Sequence, residues 1–363
     1  MTSVAFTLEQ CWHRVPGGTA VAAIELARAL VEHTVVKPVG VAARHRHPAP
    51  APYTAPIPVK HLPLPRIALY EGWHWLRAPK VELATGAIDV VHATSLAIPP
   101  KSAPLVVTVH DLAFLHEPAH FTRRGVSFFR RGLMLARRDA DLVLCVSHAT
   151  WRDCIDAGFD SDRLMTIPLG VKMARAERRD IQRVTHLYGL HRPYVMWTGT
   201  IEPRKNLARM IEAFRALDLE TDLVLVGPKG WNEDIDELVG PLRERVRVLG
   251  FVPRADLGPL YAGATVFCWP SLLEGFGFPV LEAMTQGTPV VTSKGTSTEE
   301  LATGAGVLVD PRDPEAIAAG IRSVLEDGAL AAKLREAGLA RAAEYTWART
   351  ARLTADAYAR VMR

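Results

Sequence analysis

Strand-sized apolar runs alternate with helix-sized segments along this 363-residue chain, and the alternation occurs twice. In the first half "SVAFTL" is followed by the turn "PGG" and a helical stretch from Thr19 to Leu30. "IDVVHAT", "PLVVTVHD" and "DLVLCVS" come later, with a helically spaced segment at 121–138 between the last two. The second half repeats the pattern through "YVMWTGT", "DLVLVGP", "VRVLGFV", "TVFCWPS" and "TPVVTS". Such compact runs, bounded by polar or turn residues, suit strands buried on both faces. Strands alternating with helices predict an α/β fold with parallel sheets covered on both sides. Two such sets predict two doubly wound domains, a number that the chain length also suits.

The expected boundaries follow from where the pattern breaks. Residues 167–180 turn polar and irregular between the two halves, which sets domains at 1–170 and 171–343. The tail, 344–363, reads as a helix crossing back to the first domain. Residues 48–65 are proline-rich and read as a surface loop.

Composition removes several function classes. Hydrophobic content of 48% and charged content of 23% are ordinary for a globular enzyme. The apolar runs are strand-length, too short to span a bilayer. The N-terminus lacks a basic-then-apolar leader pattern, which predicts a cytoplasmic protein, possible contact with the inner face of the membrane included. Cys11, Cys145, Cys154 and Cys268 have neither metal spacing nor a disulfide pattern and read as reduced, buried thiols. Residues 1–170 hold 18 Lys+Arg against 14 Asp+Glu, whereas residues 171–363 hold 25 of each. That excess is too mild for a nucleic-acid binder and suits an anionic small substrate or an acidic membrane surface.

In open parallel sheets, ligands bind beyond the C-terminal ends of the strands. Four unusual loops fall at such ends: Gly17-Gly18 after the first strand, His110-Asp111 after "PLVVTV", "IEPRKN" after "YVMWTGT", and "SLLEGFG" after "TVFCWP". In "GTIEPRKN" Asn206 reads as the N-cap of a helix whose apolar face holds Leu207, Met210, Ile211 and Phe214. Arg204 and Lys205 then precede a helix N-terminus, where a planar fork and a point charge suit a diphosphate. "SLLEGFGFPVLEAM" places Glu274 and Glu282 eight residues apart around Gly275-Phe276-Gly277, at the start of another helix. Taken singly, a Gly-Gly pair is an ordinary turn, an Arg-Lys pair an ordinary solvated surface, and a strand-end His most often a satisfied buried group.

As a set, "GTIEPRKNL", "GPKGW", "LGFVPRADLGPLYAGATVFCWPSLLEGFGFPVLEAMTQGTPVV" and "VLVDPRDPEAIA" resemble the second domain of retaining GT-B glycosyltransferases of family 4, the glycosyltransferases group 1. Sucrose synthases and bacterial mannosyltransferases belong to that family, and the resemblance is to the latter above all. It covers residues 190–325 strongly; the first half matches more loosely through "PGG", "VTVHDLAF", "LVLCVSHAT" and "IPLGV". It implies two Rossmann-like domains facing across a cleft, and transfer of a hexose with retention, without metal or other cofactor. The donor it implies is a nucleotide-sugar, GDP-mannose first, and the acceptor a glycan, glycolipid or small molecule. A UDP-sugar donor and a sugar-nucleotide epimerase are the alternatives.

The roles the resemblance implies are specific. Glu274 contacts the donor sugar, and Gly275 with the amides of Phe276 and Gly277 holds sugar and diphosphate. Glu282 accepts from the ribose hydroxyls. Arg204 and Lys205, beside Gly199, stabilise the departing diphosphate, and Phe251-Val252 lies along the base. His110 meets the sugar from the first domain, where Gly17 and Gly18 approach the phosphates.

Two other features compete for a function. Asp139-Ala140-Asp141 matches the Asp-x-Asp of metal-dependent transferases, yet it opens a strand where that motif closes one, and so reads as a solvated turn. In 121–138 an apolar face of Val126, Phe129, Leu133 and Ala136 is ringed by Arg123, Arg124, Arg130, Arg131, Arg137 and Arg138. That pattern fits a core-packed helix and also weak docking on an anionic membrane.

Overall fold

The computed structural model describes residues 1–13, 17–217, 219–228 and 235–363. Pro16 of "PGG" and residues 229–231 of "GPKGW" lie outside the described residues. The chain divides into two compact units. One comprises Met1–Gly170 with Tyr345–Arg363, the other Val171–Glu344.

The first unit is a seven-stranded sheet. Its strands are β1 (Ser3–Thr7), β2 (Lys37–Ala42), β3 (Val59–His61), β4 (Val90–Ala93), β5 (Leu105–Val109), β6 (Leu142–Cys145) and β7 (Leu164–Thr166). They are ordered β3-β2-β1-β4-β5-β6-β7 and pair in parallel throughout. β4, β5 and β6 are buried along their whole length, which is why they read as unbroken apolar runs. β3 lies inside the proline-rich stretch expected to be loop. Three residues pairing on β2 leave no periodicity to read.

The helix expected from Thr19 to Leu30 runs from Gly17 to His33. The basic helix runs from Arg123 to Asp139, capped by the Thr122 hydroxyl, which accepts from the Gly125 amide at 3.1 Å. Its apolar stripe faces inward: Leu133 and Ala136 are buried, and Phe129 packs against Phe114 and Phe121.

The last helix, Trp347–Val361, belongs to this first unit. It packs on the helix Gly17–His33. The Thr350 hydroxyl donates to the Pro168 carbonyl at 2.8 Å, and the Tyr358 hydroxyl lies 2.6 Å from His92 Nδ1 on β4, both side chains fully buried. At Gly170 the backbone runs so close that an added Cβ would sit 2.3 Å from the Trp347 amide nitrogen.

The second unit is built the same way from six parallel strands: β8 (Tyr194–Thr198), β9 (Asp222–Val226), β10 (Val246–Gly250), β11 (Val266–Trp269), β12 (Val290–Ser293) and β13 (Val307–Val309). Their order is β10-β9-β8-β11-β12-β13. The chain lays down β8, β9 and β10 in one direction, then reverses through β11, β12 and β13. The reversal point lies between β8 and β11. Adjacent loops there leave for opposite faces and open a crevice.

Candidate active site

Two loops of the second unit meet at that reversal point. The loop after β8 carries Gly199 to Asn206, and the loop after β11 carries Pro270 to Gly277. The Leu272 amide donates to the Arg204 carbonyl at 2.9 Å, binding one loop to the other. Asn206 sits at the N-cap position just before the helix Leu207–Arg215, as expected, but its side chain does not cap it. It adopts a left-handed conformation (φ 61°), and its amide donates to the Pro270 carbonyl at 2.8 Å and the Pro311 carbonyl at 2.6 Å. The N-cap expectation is therefore corrected: Asn206 clamps two neighbouring loops.

The clamp positions a compact charge cluster. Lys205 pairs with Glu274, and Arg204 lies 2.7 Å from Glu202 and 3.8 Å from Glu274. Lys205 Nζ also sits 5.0 Å from the centre of the Trp269 ring. Glu274 Oε1 accepts from Trp269 Nε1 at 3.2 Å and lies 3.1 Å from the Ser271 hydroxyl. Burial pushes the Glu274 carboxyl up, but the charges of Lys205 and Arg204 and the hydrogen bonds from Lys205 and Ser271 outweigh it and hold the group below the usual carboxylate range. Burial, then the charge of Arg204, pulls Lys205 below its ordinary value, against the attraction of Glu274 and Glu202. Two cations and two carboxylates thus hold one another in place before any ligand arrives.

Gly275, Phe276 and Gly277 lead into the helix Phe278–Gln286. Gly277 sits at φ 105°, and a Cβ there would lie 2.8 Å from the Thr298 methyl, so both conformation and space require glycine. The Ser297 hydroxyl, 2.9 Å from the Glu274 carbonyl and 3.1 Å from that of Phe276, fixes this turn. Gly199 is excluded from substitution by closeness too: its Cβ would meet the Trp269 ring at 2.7 Å.

Glu282 lies just over one turn into that helix, where the Tyr261 hydroxyl donates to it at 3.2 Å. Burial raises its carboxyl to about 7, opposed by the charge of Arg254 and by the Tyr261 bond. Phe251 is 80% exposed after the end of β10, whereas Val252 beside it is buried.

In the first unit, His110 ends β5 with Nε2 3.1 Å from the Thr94 carbonyl. Burial lowers its pKa and keeps the ring neutral. With Nε2–H donating to Thr94, Nδ1 is the acceptor nitrogen. Gly17 and Gly18 are exposed at the start of their helix. Arg204, Lys205, Gly199, Glu274 and the Gly275–Gly277 turn are thereby brought together in the second unit, with Glu282 in the helix that follows. Glu202, Trp269, Ser271 and Tyr261 take part as well. Glu202 and Ser271 lie inside the two loops that stand out in sequence, though no role is read for them there, and Trp269 and Tyr261 carry no signal of their own.

Asp139 and Asp141 are engaged elsewhere. Asp139 lies 2.7 Å from Arg77 and 2.6 Å from Arg138, and Asp141 lies 2.6 Å from Lys101 and accepts from the Leu105 amide at 2.8 Å. Among the described residues no group of three or more His, Cys, Asp or Glu is placed to hold a metal ion.

The family description "Glycosyl transferases group 1" matches residues 179–341, and "Glycosyltransferase Family 4" matches residues 16–175. The O-antigen chain mannosyltransferase B of Escherichia coli is 34% identical over 280 residues, 74% of this chain and 74% of that protein. The serotype-specific mannosyltransferase WbdA of Escherichia coli is 27% identical over 314 residues, 78% of this chain but 38% of the much longer relative. Among solved structures, the Anabaena protein HepE, in complex with UDP and glucose, superposes with a TM-score of 0.76 at 21% identity, covering 99% of this chain and 100% of that one. Glycosyltransferases of this kind share the GT-B fold of two Rossmann-like parallel-sheet units. The chain belongs to glycosyltransferase family 4, the glycosyl transferases group 1, and is a glycosyltransferase.

Proposed function

We propose that the enzyme transfers mannose from GDP-mannose, with retention at the anomeric carbon, onto a glycan or glycolipid acceptor. The observation carrying this reading is the Arg204–Lys205–Glu274 cluster at the reversal point of the second sheet, held by Asn206 and flanked by a helix N-terminus. The names of the similar mannosyltransferases support the sugar. The complex of HepE with UDP and glucose keeps a UDP-sugar as the second reading. Family membership sets the epimerase reading aside.

In the proposed reaction the diphosphate lies against Arg204, Lys205 and the turn Gly275-Phe276-Gly277, next to Gly199. Glu274 accepts from the donor sugar, Glu282 from the ribose hydroxyls, and the Phe251-Val252 segment lines the base. His110 accepts a hydrogen bond from a sugar hydroxyl at Nδ1, and Gly17-Gly18 approaches the phosphates. The departing diphosphate accumulates charge and draws the acceptor hydroxyl proton as the front-face bond forms. Arg204 and Lys205, pre-positioned by Glu202 and Glu274, stabilise that charge without reorganising. We further place the enzyme in the cytoplasm without a metal requirement; four buried free thiols support a reducing compartment.

Calorimetric titration with GDP and UDP tests the donor: GDP binds tighter under this reading, and tighter UDP binding overturns the guanine donor. Arg204→Ala with Lys205→Ala tests the chemistry. Turnover at saturating GDP-mannose falls about a hundredfold or more, on the order of 3 kcal/mol. A variant that keeps its turnover and merely needs more donor assigns the loop to tethering. Excess chelator leaves turnover unchanged.

A further inference from the structure

The basic helix Arg123–Asp139 turns Leu133 and Ala136 of its apolar stripe into the core and leaves Val126 to line a hollow at the surface. Apart from Met134, the large exposed apolar side chains beside its arginines come from a different element. The helix Arg66–Glu71 runs into a wider turn, Gly72–Leu76, which leaves Trp75 at 61% and Leu76 at 80% exposure, with Ile67 at 57% nearby. Together with Leu64, Ala68 and Pro79, Trp75 and Leu76 line an apolar groove of about 650 Å³. A second hollow of about 390 Å³ is lined by Arg123, Arg130, Arg131 and Met134, the last 47% exposed. The two meet where the Arg131 guanidinium lies 3.2 Å from the centre of the Trp75 ring. Arg123, Arg124 and Arg130 are exposed around this seam. The facing carboxylate is Glu71, 3.1 Å from Arg124.

We propose that this face of the first unit docks on a bilayer bearing anionic headgroups, with Trp75 and Leu76 entering the interface and the arginines on the phosphates. Trp suits the headgroup level because its ring is amphipathic, and arginine stems lie along apolar surface while the guanidinium stays in contact with anions. A second copy of the chain fits less well. A two-fold contact sets a patch against itself, and here that brings four arginines against four. No described helix is long and apolar enough to cross a membrane, so the contact is a surface one. Docking through this face is independent of which donor the enzyme uses.

Flotation of the full chain with vesicles tests the proposal. The protein floats with phosphatidylcholine–phosphatidylglycerol vesicles at low salt, stays behind with phosphatidylcholine alone, and is released as salt rises. Arg123→Glu with Arg130→Glu weakens vesicle binding on the order of a hundredfold. Trp75→Ser with Leu76→Ser weakens it while leaving a salt-sensitive remainder. Melting curves identify a variant that fails to fold. The arginine pair is fully at the surface and keeps the test decisive if the apolar pair misfolds. No flotation, equal flotation with neutral vesicles, or binding indifferent to the arginine changes overturns the proposal. So does a concentration-dependent dimer that Trp75→Ser with Leu76→Ser dissolves, which assigns the patch to a second copy.

Discussion

Glu282 keeps its proton up to about pH 7 in the free protein, well above the ordinary value of 4.5. A carboxyl raised on folding stabilises the folded chain fully below pH 4.5 and loses that contribution as pH rises to about 7. A ribose diol donating to the ionised carboxylate pulls the other way, so nucleotide affinity strengthens as pH rises through about 7. Calorimetry in buffers of different ionisation enthalpy should show proton release near pH 6, by an approximate margin of up to tenfold in affinity per pH unit. Glu282→Gln removes that share of the pH dependence and leaves any share due to the phosphates. Lys205 and Glu274 give a second prediction. Glu274→Gln leaves a buried ammonium without its partner and costs about 3–5 kcal/mol in denaturant unfolding, most of which Lys205→Met added to it restores. Both glutamates, Arg204 and Lys205 were legible because their types and spacing are rare as a set. Trp269 and Tyr261 were not, since each looks like an ordinary strand or helix residue until the fold delivers it to Glu274 or Glu282, and Ser271, though inside one of the unusual loops, shows its bond to Glu274 only in the structure.

The two loops at the reversal point depend on backbone conformations as much as on charge. Asn206→Ala loses both carbonyl partners and forces a side chain with Cβ and no local hydrogen bond into the left-handed region, at a cost of about 3 kcal/mol. Asn206→Gly accepts the conformation and costs only about 1–2 kcal/mol, the hydrogen bonds alone. Urea unfolding of the pair separates strain from bonding; equal losses would show that the conformation carries no strain. The strands in the middle of each sheet, β4 to β6 and β8, β9, β11 and β12, were readable in sequence because burial on both faces writes them as apolar runs. β2, β3, β7 and β13 were not. β2 begins Lys-Pro, and the other three are three residues long, so pairing with a neighbour defines them and no local pattern does. Asn206 misled for a related reason: a cap residue ahead of an apolar helix has the same sequence whether it caps or clamps.

At the scale of the molecule, the first unit is discontinuous. Its sheet comes from Met1–Gly170, but the helix that buries Tyr358 against His92 comes from the last residues of the chain. Ending the protein after Glu344 uncovers the buried faces of Ala351, Ala357 and Tyr358's partners and should lower the stability of the first unit by several kcal/mol, on the order of 3–5 for the lost aromatic alone. Hydrogen exchange resolved by peptide reads it: amides of β4 and β5 lose protection, while those of β8 and β11 keep it. The second unit is continuous, from Val171 to Glu344. A ribosome adding about 5–20 residues per second therefore releases all of the second unit, over roughly ten seconds or longer, before the first receives its closing helix. The half synthesised first is the half completed last. Throughout that interval the nascent helix Gly17–His33 has its sheet to lie on but leaves uncovered the face that the last helix packs against, and a premature stop codon near the end of the message spoils the part of the enzyme that was made at the beginning.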